Sequence, residues 1–121
     1  MRILVADDNE MVRRGVVAIL SSEEHWQVCG EAADGAEALS MARTLQPDLV
    51  ILDVSMPEIG GLNAASLLRR DLPRVKILVM SQHDPVQLLP RAIEAGANGC
   101  VDKGRLDPDL MAVIKAMERT A

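Results

Sequence analysis

Leu49-Val50-Ile51-Leu52-Asp53 is a run of four consecutive aliphatic residues ended by a carboxylate. It is short, lacks polar alternation, and is bounded by Pro47-Asp48 on one side and Met56-Pro57 on the other. That pattern predicts a strand covered on both faces, the habit of parallel sheets. The same arrangement recurs at Ile3-Leu4-Val5-Ala6, which runs into Asp7-Asp8, and at Cys100-Val101, which leads to Lys103. Ligands of open α/β sheets bind outside the carboxyl ends of the strands. Three acids and one amine are therefore expected at a single rim.

Outward from this stretch, apolar runs alternate with segments of helical period. Strands are predicted over 2–6, 27–32, 49–53, 76–80 and 99–101. Between them Met11, Val12, Gly15, Val16, Ile19 and Leu20 repeat at three and four, as do Ala38, Leu39, Ala42 and Leu45, and Leu110, Val113, Ile114 and Met117. Asp34-Gly35, Pro57 with Gly60-Gly61, and Gly96 punctuate the pattern as turns and caps. Five strand-helix units with short loops imply one α/β domain, a three-layer sandwich of a parallel sheet between helices. Periodicity does not dictate strand order. In the flavodoxin-like order 2-1-3-4-5 the first and third strands are neighbours, and Asp7, Asp8 and Asp53 would flank the switch-point crevice. Asp84-Pro85 is a good opening for the fourth helix, but Pro90 lies where it would remove a backbone donor, so a kinked or shortened element is expected there.

Composition narrows the partners. The chain has 121 residues, 49% apolar and 26% charged, with a formal net charge of −5. The acidic sign disfavours DNA, RNA or an anionic membrane as partner of this segment and suits a cation. No apolar run approaches the ~18 to 20 residues of a membrane span, and Met1-Arg2-Ile3 does not open a signal layout, so a cytoplasmic location is expected. Cys29 and Cys100 lack C-x-x-C spacing and read as buried reduced thiols. With no Phe, no Tyr and one Trp, the core must be built from Leu, Ile, Val, Ala and seven Met. Trp26 is expected to cover a core edge at the end of the sheet away from the acids. Arg13, Arg14, Arg69, Arg70 and Arg74 are scattered at helical spacings and read as solvated faces.

Three convergent carboxylates repel one another unless a cation sits among them. Oxygen-only ligands favour Mg²⁺, Mn²⁺ or Ca²⁺, and few protein ligands completed by water is the Mg²⁺ habit. Asp7 and Asp8 could instead merely oppose the positive end of the first helix. That reading leaves Asp53 and Lys103 unexplained. A buried Asp53 carboxylate flanked by Leu52 and Val54 needs partners, which a cation and the Lys103 ammonium would supply. It is also a competent nucleophile for phosphoryl transfer, with the amine offsetting charge on the transferred group.

Taken together, Ile3-Leu4-Val5-Ala6-Asp7-Asp8, Pro47-Asp48-Leu49-Val50-Ile51-Leu52-Asp53, Met56-Pro57-Glu58-Ile59-Gly60-Gly61-Leu62, Ser81, and Gly96-Ala97-Asn98-Gly99-Cys100-Val101-Asp102-Lys103 resemble the receiver domain of bacterial two-component response regulators along the whole chain. Val12-Arg13-Arg14-Gly15 and Glu31-Ala32-Ala33-Asp34-Gly35 look most like the NarL/FixJ (LuxR-type) branch. The resemblance implies a single receiver domain over 1–121 with the CheY-like order 2-1-3-4-5, whose branch usually adds a DNA-binding helix-turn-helix domain after it. It implies that a sensor histidine kinase donates a phosphoryl group to Asp53 in a Mg²⁺-dependent reaction, with Mn²⁺ able to substitute. Asp8 and Asp53 would be metal ligands together with the Ser55 backbone carbonyl, and Asp7 would assist through water. Lys103 would pair with the phosphoryl group and the Ser81 hydroxyl would hydrogen-bond it. The implied output is a rearranged face around the fourth helix, fifth strand and fifth helix, controlling transcription, with a homodimer among the compatible assemblies. Such a domain is a signalling module rather than an enzyme acting on a free metabolite.

Several residues depart from that pattern. Cys100 stands where an aromatic ring normally moves inward, Gly104 follows Lys103 in place of a frequent proline, and Gln82 is larger than the residue often found beside Ser81. His83 reads as a solvated loop residue. These departures keep open a receiver-like interaction module that is not phosphorylated. A haloacid-dehalogenase-type phosphatase would need a second Asp two residues after Asp53, where this chain has Ser55, and no glycine-rich phosphate loop or Ser-His-Asp set is present.

Overall fold

A computed structural model of the chain describes residues 1–57, 59–82 and 84–119. The five apolar runs form strands β1 (Arg2–Ala6), β2 (Gln27–Ala32), β3 (Leu49–Asp53), β4 (Lys76–Ser81) and β5 (Gly99–Asp102). All pair in parallel in the order β2-β1-β3-β4-β5. The helices are α1 (Glu10–Leu20), α2 (Gly35–Leu45), α3 (Gly61–Asp71), α4 (Pro85–Glu94) and α5 (Leu106–Glu118). None of the described helices is long and apolar enough to cross a membrane.

Side chains alternate across a strand, so each buried strand feeds two cores. Leu4, Ala6, Val50, Leu52, Ile77 and Val79 pack on one face beneath α2, α3 and α4. Ile3, Val5, Leu49, Ile51, Leu78 and Met80 pack on the other beneath α1 and α5. Trp26 closes the second layer, buried, with its Nε1–H donating to Glu118 Oε1 at 2.7 Å. Caps define the helix starts: the side chains of Asn9, Asp34 and Asp84 accept from Val12 N, Glu37 N and Val86 N. In α5, Asp107 has non-helical backbone angles and precedes Pro108 across a cis peptide, the one such bond among the described residues. The peptide after Lys103 is thus trans.

Three expectations need correction. First, α4 is neither shortened nor delayed to Leu89: it runs from Pro85 to Glu94 through Pro90. Pro90 forfeits one helical hydrogen bond, but Asp84 caps the first turn and the buried Leu88 and Ala92 hold the segment on the sheet. Second, Arg69 is not a solvated side chain. It donates to Gly96 O at 3.1 Å, Pro73 O at 2.8 Å, Val75 O at 2.6 Å and Asn98 Oδ1 at 2.9 Å, tying the end of α3 to the turn that enters β5. Third, Cys29 and Cys100 are unbridged but only half-buried. The Cys100 thiol donates to Pro85 O at 3.2 Å, and burial, with the nearby Asp84 carboxylate, holds it above its ordinary pKa. His83 lies outside the described residues, as does Glu58.

Because the proline penalty inside a helix is ~3 kcal/mol relative to alanine, Pro90→Ala is expected to stabilise the fold by about 1 to 3 kcal/mol. Chemical denaturation should show a raised midpoint with an unchanged slope. An unchanged midpoint would mean that this part of α4 contributes nothing to global stability.

Candidate functional site

Strand register assembles the site. Ala6 pairs with Leu52, so the next residues, Asp7 and Asp53, come side by side as β1 and β3 end. Asp53 pairs with Met80 and Ser81 pairs with Asp102, which sets Ser81 and Lys103 at the same rim. A short 3₁₀ turn, Lys103–Arg105, follows β5, with Asp102 Oδ1 accepting from Gly104 N at 2.8 Å. The chain therefore brings Asp7, Asp8, Asp53, Ser81 and Lys103 to one end of the sheet, as the sequence predicts. Ser55 lies two residues past Asp53 with its side chain exposed.

Asp7 is 0% exposed, Asp53 3% and Ser81 2%, whereas Asp8 faces solvent. One carboxylate oxygen from each of Asp7, Asp8 and Asp53 lies within 4.8 Å of the others. Lys103 Nζ sits 2.9 Å from Asp7 Oδ2 and 3.4 Å from Asp53 Oδ2. Asp7 Oδ1 accepts from Asn9 N at 2.8 Å, and Asp53 Oδ1 from Ser55 N at 3.3 Å. Asp7 Oδ2 is fully buried and faces the Lys103 ammonium. Three carboxylates against one ammonium leave the cluster negative, with hard oxygen donors only. This set suits a divalent cation such as Mg²⁺.

The electrostatics follow from crowding. Burial, reinforced by the neighbouring Asp7 carboxylate, raises the Asp53 pKa above its ordinary 3.8, although the Ser55 amide and Lys103 pull the other way. Burial alone would depress the Lys103 ammonium, but Asp7 and Asp53 outweigh it and hold that group above its ordinary 10.5. A concavity of about 630 Å³, lined by Met1, Pro47, Leu72, Arg74, Lys76 and Glu118 among others, lies at the opposite end of the sheet. Charge, not cavity size, marks the acidic rim as the chemical site.

Two further contacts were not predicted from the sequence. Arg13, read there as solvated, has a side chain only 15% exposed. Its Nη1 donates to Asp7 O at 2.8 Å and its Nε to Glu31 Oε1 at 3.1 Å. Gly61, visible in the sequence only as part of a turn signal, presses on the site from below: a Cβ there would lie 2.2 Å from Asp53 O.

A five-stranded parallel sheet of this order, with three acids and a lysine at its carboxyl rim, is a flavodoxin-like α/β fold with a charged site at its switch point. Comparison with known proteins makes the assignment specific. Residues 3–115 match the response regulator receiver domain, and the chain belongs to that family. It is 40% identical over 104 residues to the response regulator GacA of Pseudomonas aeruginosa, covering 86% of this chain and 49% of that protein. Among solved structures it superposes on a LuxR-family two-component response regulator from Aurantimonas sp. SI85-9A1 with a TM-score of 0.90 at 33% identity, covering 96% of this chain and 83% of that one. It superposes equally widely on the signal receiver domain of NarL from Mycobacterium tuberculosis, with a TM-score of 0.87, 33% identity, and coverage of 98% and 96%. The chain spans about half the length of the curated relatives it matches, 49% and 57% in two of them.

Two consequences are measurable in metal-free protein. Because the folded pKa of Asp53 is raised above its ordinary 3.8, the native state binds that proton more tightly than the unfolded chain does. Stability is then lost as pH climbs from about 4 through the folded value, and at pH 7 the ionised carboxylate is a net cost. Asp53→Asn should raise the melting temperature by a few degrees at pH 7 in EDTA, with the gain fading below pH 4. A lower melting temperature for the variant at pH 7 would contradict this reading. Gly61→Ala should act oppositely, lowering stability by about 2 kcal/mol or more because the Asp53 backbone cannot retreat without disturbing β3. A thermal melt unchanged by that methyl would show that the contact relaxes freely.

Proposed function

We propose that the chain is the phosphoacceptor domain of a two-component response regulator, taking a phosphoryl group on Asp53 from a sensor histidine kinase. The observation that carries this reading is the position of Lys103 Nζ, 2.9 Å from Asp7 and 3.4 Å from Asp53, within a cluster of three carboxylates at the strand ends. A carboxylate oxygen of Asp53 attacks phosphorus, forming an O–P bond as the P–N bond of the kinase phosphohistidine breaks. The imidazole leaves with the bonding pair and takes up a proton. Lys103 offsets the negative charge that arrives on Asp53, and the Ser81 hydroxyl donates to a phosphoryl oxygen. Asp8, Asp53 and the Ser55 carbonyl would hold Mg²⁺ or Mn²⁺, with Asp7 assisting through water. The ion, when bound, supplies positive charge between the acids and the phosphoryl oxygens.

The excess of three carboxylates over one ammonium supports a cation rather than simple helix capping, since Asn9 is the residue that caps α1. In keeping with its family, the domain acts as a signalling module rather than on a free metabolite, and it hydrolyses its own phosphate slowly. Phosphorylation brings ~1.5 to 2 negative charges to one point, and the responding surface is the α4-β5-α5 face adjoining Ser81 and Lys103. Residues 1–121 form one receiver domain of a cytoplasmic protein. The half-length match to GacA is compatible with a further effector domain, and the resemblance to the LuxR-type branch makes the output of such a domain transcription through DNA, the receiver itself binding neither nucleic acid nor membrane. Phosphorylation can also drive a homodimer.

The test is intact mass after incubation with a small acyl-phosphate donor and Mg²⁺, beside Asp53→Asn and an EDTA control. A gain of one phosphoryl group that needs the metal and vanishes in the variant is expected. No adduct, with no phosphate released over the same period, would instead make the domain a phosphate-independent interaction module.

A further inference from the structure

The edge strand β2 does not pair regularly with β1. Ile3 faces Val28, but Leu4 faces Gly30, so Cys29 is an extra residue in the ladder. A one-residue insertion turns every later side chain to the other face of the sheet. Beyond it, Glu31 pairs with Val5, whose side chain lies in the α1 and α5 layer. Without the insertion Glu31 would fall beside Ala6 and point into the α2, α3 and α4 layer. The bulge is what delivers Glu31 to α1.

There Glu31 Oε1 accepts from Arg13 Nε at 3.1 Å, while Glu31 Oε2 lies 3.3 Å from the more exposed Arg14 Nη1. Held in this way, Arg13 Nη1 donates to Asp7 O at 2.8 Å. That carbonyl belongs to the peptide linking Asp7 to Asp8. The other polar groups of Asp7 are also fixed: its N–H donates to Ala32 O at 3.0 Å and its Oδ1 accepts from Asn9 N at 2.8 Å. Asp8, exposed to solvent, inherits its direction from the plane of that peptide.

We infer that Arg13, braced by Glu31 across the bulged edge strand, is a positioning residue that aims Asp8 at the cation by fixing the Asp7–Asp8 peptide. The inference rests on the proposed function and deepens it, adding β2 and α1 to the machinery that builds the metal site. Arginine suits the task because its planar fork can reach a carboxylate and a carbonyl at once, whereas an ammonium is a single point charge. The role also carries a distinctive sign. Removing a positive charge near a cation site should tighten metal binding through Coulomb's law, but removing a positioning group should weaken it.

The experiment is a Mn²⁺ titration of the whole chain, followed by the electron paramagnetic resonance signal of the free ion and repeated with Mg²⁺ as competitor. Arg13→Gln is expected to weaken binding about tenfold, the usual scale for groups that orient a metal ligand, and Arg13→Lys should fail to restore it. Glu31→Gln should weaken binding in the same direction, and adding it to Arg13→Gln should cost little more, because the two act as one unit. Should Arg13→Gln fail to fold, Arg13→Lys still decides the matter, because it keeps the charge and removes only the fork. Unchanged or tighter binding in Arg13→Gln, or full affinity in Arg13→Lys, would overturn the positioning role while leaving the metal site intact. A wild-type chain that takes up no Mn²⁺ would overturn the metal reading itself, and this inference with it.

Discussion

Crowding of like charge at the carboxyl end of the sheet is the constraint on which the rest of the structure depends. Asp7 and Asp53 are buried side by side because the register of β1 and β3 leaves them no alternative. Lys103 opposes them as the only basic group paired with either carboxylate among the described residues. An unpaired buried carboxylate is costly, so the ammonium must be delivered accurately, and β5 does this by ending one residue before Lys103. The two apolar layers supply the burial that makes the cluster expensive. They also supply the rigidity that keeps the acids from moving apart.

The sites of close approach follow from the same demand. Gly61 lets the start of α3 lie against the backbone of Asp53, where any side chain would collide. Val54 N donates to Met80 O at 2.9 Å and Gly61 N to Val54 O at 3.0 Å, so the segment after β3 is pinned to β4 and α3 together. The Asp7 amide is held by Ala32 O, and its carbonyl by Arg13. Backbone on both sides of the acid pair is thereby fixed from neighbouring elements, which gives flexible carboxylates a rigid base.

Much of this was legible in the sequence, for identifiable reasons. β1 and β3 are uninterrupted by turn residues, so composition alone bounds them. β4 and β5 each extend one residue further than their apolar runs, because Ser81 and Asp102 remain in the ladder despite being polar. The candidate site residues were legible because each lies at, or within two residues of, the carboxyl end of a predicted strand. Strand order was not, since periodicity says nothing about which strands are neighbours. The Cys29 bulge leaves no mark in one dimension, and the facing of Glu31 is invisible without it. Arg13 and Arg69 were misread for a related reason: helical spacing places a guanidinium on a helix, but only the fold shows that a backbone carbonyl waits opposite it. Pro90 misled through a sound local rule, overridden here by an N-terminal cap and two buried side chains.

The placement of α4 completes the physical argument. Both Pro85 and Pro90 lack a backbone donor, and only Leu88 and Ala92 of this helix are buried. Val86, Leu89 and Ile93 are instead exposed at spacings of three and four, forming an apolar stripe along the helix. Its first turn is tied to β5 by the Cys100 thiol, a weak donor where an aromatic ring would have supplied bulk. Elements with few buried contacts and incomplete backbone bonding lie at the low-stability end of a fold. A charge added at Asp53 is felt first by Ser81 and Lys103, and the helix between β4 and β5 holds to the sheet through only two buried side chains. The proposed switch therefore needs no aromatic relay: differential hydrogen bonding at the rim acts on a helix that costs little to move.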